Sequence, residues 1–153
     1  MVKIIEAPEA FEPKETGFRI FLAGTIDNGE SENWQEKICK HFESEEIDKD
    51  VIIYNPRRSK WDPKKEELEN QINWELKALE NSNIIIMNIL GTSKSPISLM
   101  ELGLFHENPG LYVFCPEEFY RFTNVKVVCE KYGIKLYKNN NIEDIERVIS
   151  FLI

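Results

Sequence analysis

Short apolar runs alternate with longer amphipathic segments along the chain, and this alternation predicts strands and helices in turn. The runs that fit buried strands lie at about 18–24, 51–54, 83–89, 111–114 and 135–137. Apolar residues at helical spacing predict helices over about 32–46, 64–81, 97–107, 117–132 and 142–152. Ser31 is the predicted cap of the first helix. Residues 1–17 are predicted to form an extended leader that could add an edge strand.

This order of elements predicts one domain over residues 18–153. A chain of alternating strands and helices forms a mainly parallel sheet with helices on both faces. The expected fold is therefore a single-domain, three-layer α/β/α arrangement, flavodoxin- or Rossmann-like, with a five-stranded sheet. Ligands of such folds bind at the carboxyl ends of the strands. We expect the loops 24–33, 55–62 and 91–101 to converge there.

Glu101 is the first candidate for chemistry. It lies among apolar residues near the start of a predicted helix, in Ser95-Pro-Ile-Ser-Leu-Met-Glu-Leu-Gly103. Burying a carboxylate costs free energy unless the group is paired or serves a function. The start of a helix should help to keep it ionised, because the helix dipole favours a negative charge there. The alternative is a plain first-turn glutamate that balances the helix dipole, and the pattern alone leaves both open.

Glu75 is the second candidate carboxylate, on the predicted helix before the central strand. Alone it resembles the many solvated glutamates of that helix. Two carboxylates beside one sugar could divide the work, one attacking the anomeric carbon and the other handling a proton.

The remaining loops offer binding groups. Gly24 follows a buried strand and could let a ligand approach the backbone, and Asp27 could hold sugar hydroxyls. Arg57, or its neighbour Arg58, could stack on a base together with Trp61. The alternatives without a functional role are that Asp27 is an ordinary turn residue and that the loop with Arg57 and Arg58 is simply solvated. No glycine-rich dinucleotide fingerprint or Walker motif occurs, so no cofactor is expected.

Charge and composition limit the kinds of molecule that this protein is expected to bind. The net charge is −8 over 153 residues, which argues against nucleic acid as the main partner. No apolar run approaches the length that crosses a bilayer, and the N-terminus has no secretory pattern, so we expect no membrane partner. The three cysteines lack metal-ligand spacing, so no metal site is expected, and thiols of this kind suit a cytoplasmic location.

Four motifs together resemble the nucleoside 2-deoxyribosyltransferase family, in its divergent deoxyribosyltransferase-like branch. They are FLAGTIDNG followed by Asn33-Trp34, NPRR followed by Trp61-Asp62, QINWE, and SPISLMELG, and the resemblance spans about 18–114. It implies that Glu101 is the nucleophile and that Glu75 protonates the departing base. It also assigns substrate binding to a wider set of positions: Gly24, Thr25, Ile26, Asp27, Asn33, Trp34, Arg57, Asp62, Gln71, Ser95 and Ser98.

The sequence departs from the family pattern at several positions. Ser95 resembles the serine of related monophosphate hydrolases rather than the sugar-binding aspartate of transferases. Phe21 stands where a tyrosine would orient the nucleophile, and Asn83 replaces an aspartate. Asp27 stands where the hydrolases read a phosphate with an arginine, which favours an unphosphorylated nucleoside.

The resemblance implies a nucleoside and a free nucleobase as ligands, and a homo-oligomeric protein. Sugar transfer to a second base is the expected reaction. Two alternatives stay open: hydrolysis of a nucleoside or its 5′-monophosphate, and a non-catalytic module that binds a nucleotide.

Overall fold

The computed structural model describes residues 1–26, 31–59 and 65–153, with the side chains of 65 and 66 excepted. Asp27, Trp61 and Asp62, which the sequence analysis singled out, lie outside the described residues.

The described residues form strands and helices that alternate after the first strand. The strands are β1 (Val2–Glu6), β2 (Phe18–Gly24), β3 (Val51–Asn55), β4 (Ile84–Asn88), β5 (Leu111–Phe114) and β6 (Lys135–Tyr137). The helices are α1 (Trp34–Ser44), α2 (Lys65–Asn81), α3 (Pro96–Leu104), α4 (Phe122–Tyr132) and α5 (Ile142–Leu152).

The sheet confirms the predicted fold class but has one strand more than predicted. Its order is β1-β3-β2-β4-β5-β6, and every neighbouring pair is parallel. The additional strand is β1 from the N-terminal leader. It pairs with β3 from Val2 opposite Val51 to Glu6 opposite Asn55. β3 would otherwise be an open edge, and β1 satisfies its backbone groups while burying Ile5.

Two hydrophobic cores cover the two faces of the sheet, as a three-layer fold requires. Alternation along β4 divides its side chains, so that Ile85 and Met87 face one core while Ile84 and Ile86 face the other. Helices α2, α3 and α4 pack on the first face, and α1 and α5 on the second. All five residues of β4 are buried, which confirms it as a central strand.

Two predicted helix starts are corrected. The first helix begins at Trp34, and its cap is Asn33 rather than Ser31, because the Asn33 side chain accepts the Glu36 N–H. The fourth helix begins at Phe122 rather than near 117, since the segment before it forms tight turns. In the described part of the chain, no helix has both the length and the apolar character needed to cross a membrane.

Candidate functional site

Hydrogen bonds join the three loops that leave the carboxyl ends of β2, β3 and β4. The Thr25 hydroxyl lies 2.6 Å from the Ser95 hydroxyl, which ties the loop after β2 to the loop after β4. The Arg57 guanidinium donates to the Ser31 carbonyl at 2.6 Å and the Glu32 carbonyl at 2.8 Å, which ties in the loop after β3. The predicted convergence of these loops is confirmed.

The two candidate carboxylates lie on neighbouring helices of the same layer. Glu75 is on α2 and Glu101 is on α3, with only 6% of Glu101 exposed. Burial raises the pKa of Glu75 to about 7. Burial, and then the charge of Glu75, raise the pKa of Glu101 to about 8. Near neutral pH the pair therefore holds at least one proton, because two buried like charges cannot both ionise cheaply.

The raised pKa of Glu101 corrects the expectation that the helix start keeps this group ionised. Glu101 is the sixth residue of α3 and so lies beyond the first turn, where the helix dipole acts most strongly. Among the described residues, no hydrogen bond reaches its carboxyl group. Phe21, which replaces an orienting tyrosine, is wholly buried in the core under α2 and α3 and carries no hydroxyl.

Gln71 links the Glu75 environment to Arg58. Arg58 donates from Nε to Gln71 Oε1 at 2.5 Å, and from its terminal nitrogen to Glu67 at 2.9 Å. Gln71 in turn donates through Nε2 to the Pro56 carbonyl at 2.8 Å. The Gln71 amide and the Arg58 charge both lower the pKa of Glu75, against the larger effect of burial. Gln71, assigned from the resemblance to substrate binding, is thus placed beside the candidate acid.

Three hydroxyl groups form a cluster at the start of α3. Thr25, Ser93 and Ser95 lie 2.6 to 3.0 Å from one another, and Ser93 also reaches the Leu90 carbonyl at 2.7 Å. These four contacts share three hydroxyl protons, so at least one oxygen faces its neighbour without a proton between them. The Thr25 oxygen also accepts the Leu90 N–H at 2.9 Å, and the cluster keeps unused lone pairs that could accept a further hydrogen bond.

Ser95 holds the backbone at the start of α3 in an unusual conformation. Its φ of 44° lies in the left-handed region, which costs a residue with a side chain about 1–2 kcal/mol. Pro96 follows at the first helical position. Ser98 is buried one turn before Glu101, within the same segment. The strained turn thus aims the Ser95 hydroxyl at Thr25 rather than at the helix it precedes.

Gly24 makes room for the protein's own backbone. A Cβ at this position, whose φ is 129°, would lie 2.1 Å from the Asn88 carbonyl oxygen. Gly24 was expected to let a ligand approach the backbone, and on the side where a Cβ would stand the close approach is that of β4. The glycine allows β2 and β4 to stay paired to their last residues.

The other predicted binding residues in this region also serve the fold. Trp34 is fully buried and donates from its indole nitrogen to the Thr25 carbonyl at 3.2 Å. Asn33 caps α1, and the Ile26 carbonyl accepts the Ser31 hydroxyl. Arg57 holds the start of α1 through the contacts given above. Assignment of these residues to substrate binding stays a prediction.

Several residues at this edge were missed from sequence. Ser93 belongs to the hydroxyl cluster, and its small polar loop was the available signal. Asn88 ends the apolar run of β4, is fully buried, and accepts a hydrogen bond from Asn140 at 2.7 Å. Its own Nδ2 has no hydrogen-bond partner within the described ranges. Asn140 comes from the loop before α5, and no local pattern could have brought it here.

One family model matches this chain, the family described as nucleoside 2-deoxyribosyltransferase like, and the match covers residues 17–119. The chain belongs to this family. The matched region runs from β2 to just beyond β5, and so includes both carboxylates and the hydroxyl cluster. The resemblance stated from the motifs is confirmed. No curated protein matched the chain significantly.

Membership of the family indicates a glycosyl-transferring enzyme that binds a small-molecule nucleoside. Among the described residues, no group of three histidine, cysteine, aspartate or glutamate side chains could hold a metal ion.

Proposed function

We propose that this protein cleaves the N-glycosidic bond of a deoxynucleoside through a covalent intermediate on Glu101, and transfers the sugar to another base. The observation that carries the proposal is the pair of buried, interacting carboxyls, Glu75 and Glu101, on neighbouring helices. Pairs of titratable groups with strongly raised pKa values cluster at sites of acid–base and nucleophilic chemistry.

In the first step a Glu101 carboxylate oxygen attacks C1′ of the sugar. The bond between C1′ and the base nitrogen breaks, its electron pair stays with the base, and the base takes a proton from Glu75. A deoxyribosyl ester of Glu101 results. In the second step a nitrogen of another base attacks C1′, gives its proton to Glu75, and releases Glu101 as a carboxylate.

This sequence requires the proton on Glu75 and the negative charge on Glu101. Burial raises both pKa values into the neutral range, to about 7 and about 8, so near neutral pH the proton of the pair can reside on either carboxyl. The reactive form is thus accessible, and a Glu75 pKa of about 7 suits a group that both gives and takes protons.

The hydroxyl cluster supports recognition of the sugar. Ser95 and its partners Thr25 and Ser93 present an oxygen that can accept from a sugar hydroxyl. We propose this role for Ser95 in place of the aspartate typical of transferases.

Product analysis tests the function. A panel of deoxynucleosides and their 5′-monophosphates is incubated with and without adenine. We expect an exchanged nucleoside when adenine is present. Mass spectrometry with a 2-fluoro-deoxynucleoside is expected to show an adduct on Glu101, and an adduct on another residue would contradict the mechanism.

Hydrolysis is the second candidate function, favoured by the serine at position 95. The same ester on Glu101 would then react with water, giving free sugar or sugar phosphate even when adenine is abundant. A binding module is the third, favoured by the absence of a hydrogen bond to Glu101 among the described residues. Thermal stabilisation by nucleosides without turnover would support that alternative.

We further propose a cytoplasmic homo-oligomer. The three cysteines are free and buried, as suits a reducing compartment. Large apolar side chains are about half exposed on the helices that carry the carboxyls, namely Leu68, Ile72, Ile97, Met100 and Leu104. Light scattering on a sizing column measures the oligomeric state, and a monomer at micromolar concentration would contradict this part of the proposal.

A further inference from the structure

Arg58, which the sequence offers with Arg57 as a group that could stack on a base, lies in the loop after β3 and contacts α2. Its side chain is only 5% exposed. Its neighbour Arg57 turns away to hold the start of α1, whereas Arg58 turns toward α2 and contacts Gln71 and Glu67. The two arginines of the NPRR motif therefore contact different helices, Arg57 the start of α1 and Arg58 the side of α2.

The contacts of Gln71 determine which way its amide points. Arg58 can only donate, so the atom that it meets is the amide oxygen. The Pro56 carbonyl can only accept, so the atom that it meets is the amide nitrogen. Both contacts require the same orientation of the amide. Its nitrogen carries two hydrogens, and the Pro56 carbonyl accepts only one of them. Glu75 lies one helical turn further along α2, where side chains four residues apart are neighbours.

We propose that Arg58 is a positioning residue for Glu75: it locks the Gln71 amide so that the remaining N–H serves the Glu75 carboxyl, and it places a positive charge beside that carboxyl. Removal of Arg58 would leave the effect of burial on the pKa of Glu75 with less opposition. Glu75 would then hold its proton too firmly to take part in both halves of a transfer reaction.

The charged groups around Glu75 come from three elements in the described part of the chain. Glu101 interacts with it from α3, and the Glu75 charge raises the pKa of Glu101. Arg58 approaches from the loop after β3 and makes ionisation easier. Glu67, on α2, pairs with Arg58 while 38% of its side chain stays exposed, so solvent weakens its influence. Gln71 adds a neutral dipole that favours the ionised form.

The test is an NMR titration of protein carrying ¹³C-labelled glutamate carboxyls, with the Glu75 signal assigned by its loss in Glu75→Gln. We expect Arg58→Met and Gln71→Leu each to raise the pKa of Glu75 by about 0.5–1 unit. Arg58→Lys keeps the charge but not the fork, so it should raise the pKa by less than Arg58→Met does. The double variant should move it by less than the sum of the single shifts, because both act through one amide.

Arg147→Gln is the matched control, since Arg147 pairs with Asp144 on the exposed face of α5. It should leave the Glu75 titration unchanged. A folded Arg58→Met protein with the wild-type Glu75 pKa would overturn the proposal. If Arg58→Met does not fold, Gln71→Leu decides in the same way, with an unchanged Glu75 pKa as the contrary result.

The catalytic part of this inference rests on the proposed function, and a second readout separates the two. In the pH profile of kcat/KM, Arg58→Met should move the optimum upward along with the NMR titration. A shifted titration without turnover of any nucleoside would retain the role of Arg58 and remove the proposed reaction. Lower activity with an unmoved optimum and titration would mark Arg58 as merely structural.

Discussion

The Glu75 carboxylate raises the pKa of Glu101, although the two residues lie on different helices and 26 positions apart in the sequence. The two carboxyls titrate as a linked pair, because the repulsion between them opposes the second of the two ionisations.

Glu101→Gln should lower kcat/KM by about 10³-fold or more, since an amide cannot form the glycosyl ester. The melting temperature should stay the same or rise, because the variant removes a buried acid. Steady-state kinetics and thermal unfolding measure both. Glu107→Gln, at a side chain that is 90% exposed, is the control and should keep full activity. Near-normal turnover by Glu101→Gln would remove this residue from the mechanism.

Stability should fall as the pH rises from about 5 to about 8. Both pKa values exceed the ordinary glutamate value of 4.5, so the folded protein keeps protons that the unfolded chain releases. The stabilising contribution is complete below about pH 4.5 and is lost as the pH passes 7 and then 8. Each carboxyl contributes a slope of up to about 1.4 kcal/mol per pH unit.

The double variant Glu75→Gln, Glu101→Gln should flatten that slope. Urea unfolding at whole pH units from 5 to 9 measures it. Glu130→Gln, at an exposed glutamate of α4, controls for loss of an acid as such. An equal slope in the double variant and the wild type would show that these carboxyls are not protonated in the folded state.

Loss of the Ser95 hydroxyl should weaken nucleoside binding. Ser95→Ala and Ser95→Gly should both raise KM by roughly three- to tenfold, which corresponds to one neutral hydrogen bond. They should differ in stability, because glycine adopts the observed φ of 44° without strain and alanine does not. We expect Ser95→Gly to be more stable than Ser95→Ala by about 1 kcal/mol.

Ser82→Ala is the control for Ser95, since Ser82 is a buried serine whose hydroxyl donates to the Ala78 carbonyl away from the site. Its KM should not change. Wild-type KM values in both Ser95 variants would show that the cluster does not contact the sugar.

Gly24→Ala should destabilise the protein severely. The new Cβ would lie 2.1 Å from the Asn88 carbonyl, in a backbone conformation that alanine avoids. The free energy of unfolding should fall by about 3 kcal/mol or more. Gly103→Ala is the comparison, because its Cβ meets no atom within 4 Å and lies within α3, where alanine gains about 0.5–1 kcal/mol. Urea denaturation measures both, and equal stability of the two variants would contradict this account.

The strands and helices were largely predictable because their signals are local. The apolar run of β4 and the helical spacing in α2 reflect burial on two faces and on one face. β1 was harder, since a short run with charged neighbours becomes a strand only when β3 offers an open edge. The cap of α1 was misplaced because Ser31 and Asn33 have similar capping chemistry, and only the geometry of the turn selects between them.

The candidate site was predictable as a set of residues but not as a set of contacts. Gly24 was expected to let a ligand approach the backbone, and the structure adds that its missing Cβ leaves room for the Asn88 carbonyl oxygen. No local pattern could show this contact, because Asn88 lies on another strand. Arg57 and Arg58 were expected to offer the same role, whereas their side chains turn toward α1 and toward α2. No local pattern shows in which direction adjacent side chains of a loop turn.

By itself, the sequence determined the parallel α/β fold, the edge of the sheet at which the three loops converge, and the two candidate carboxyls, Glu75 and Glu101. These follow from periodicity, from the order of elements and from motifs within short segments. Only the tertiary structure decided how those groups behave: that both pKa values rise, that Arg58 and Gln71 oppose the rise at Glu75, and that Thr25, Ser93 and Ser95 share their protons. A pKa and a shared proton depend on burial and on distances between segments far apart in the chain, and no local pattern encodes them.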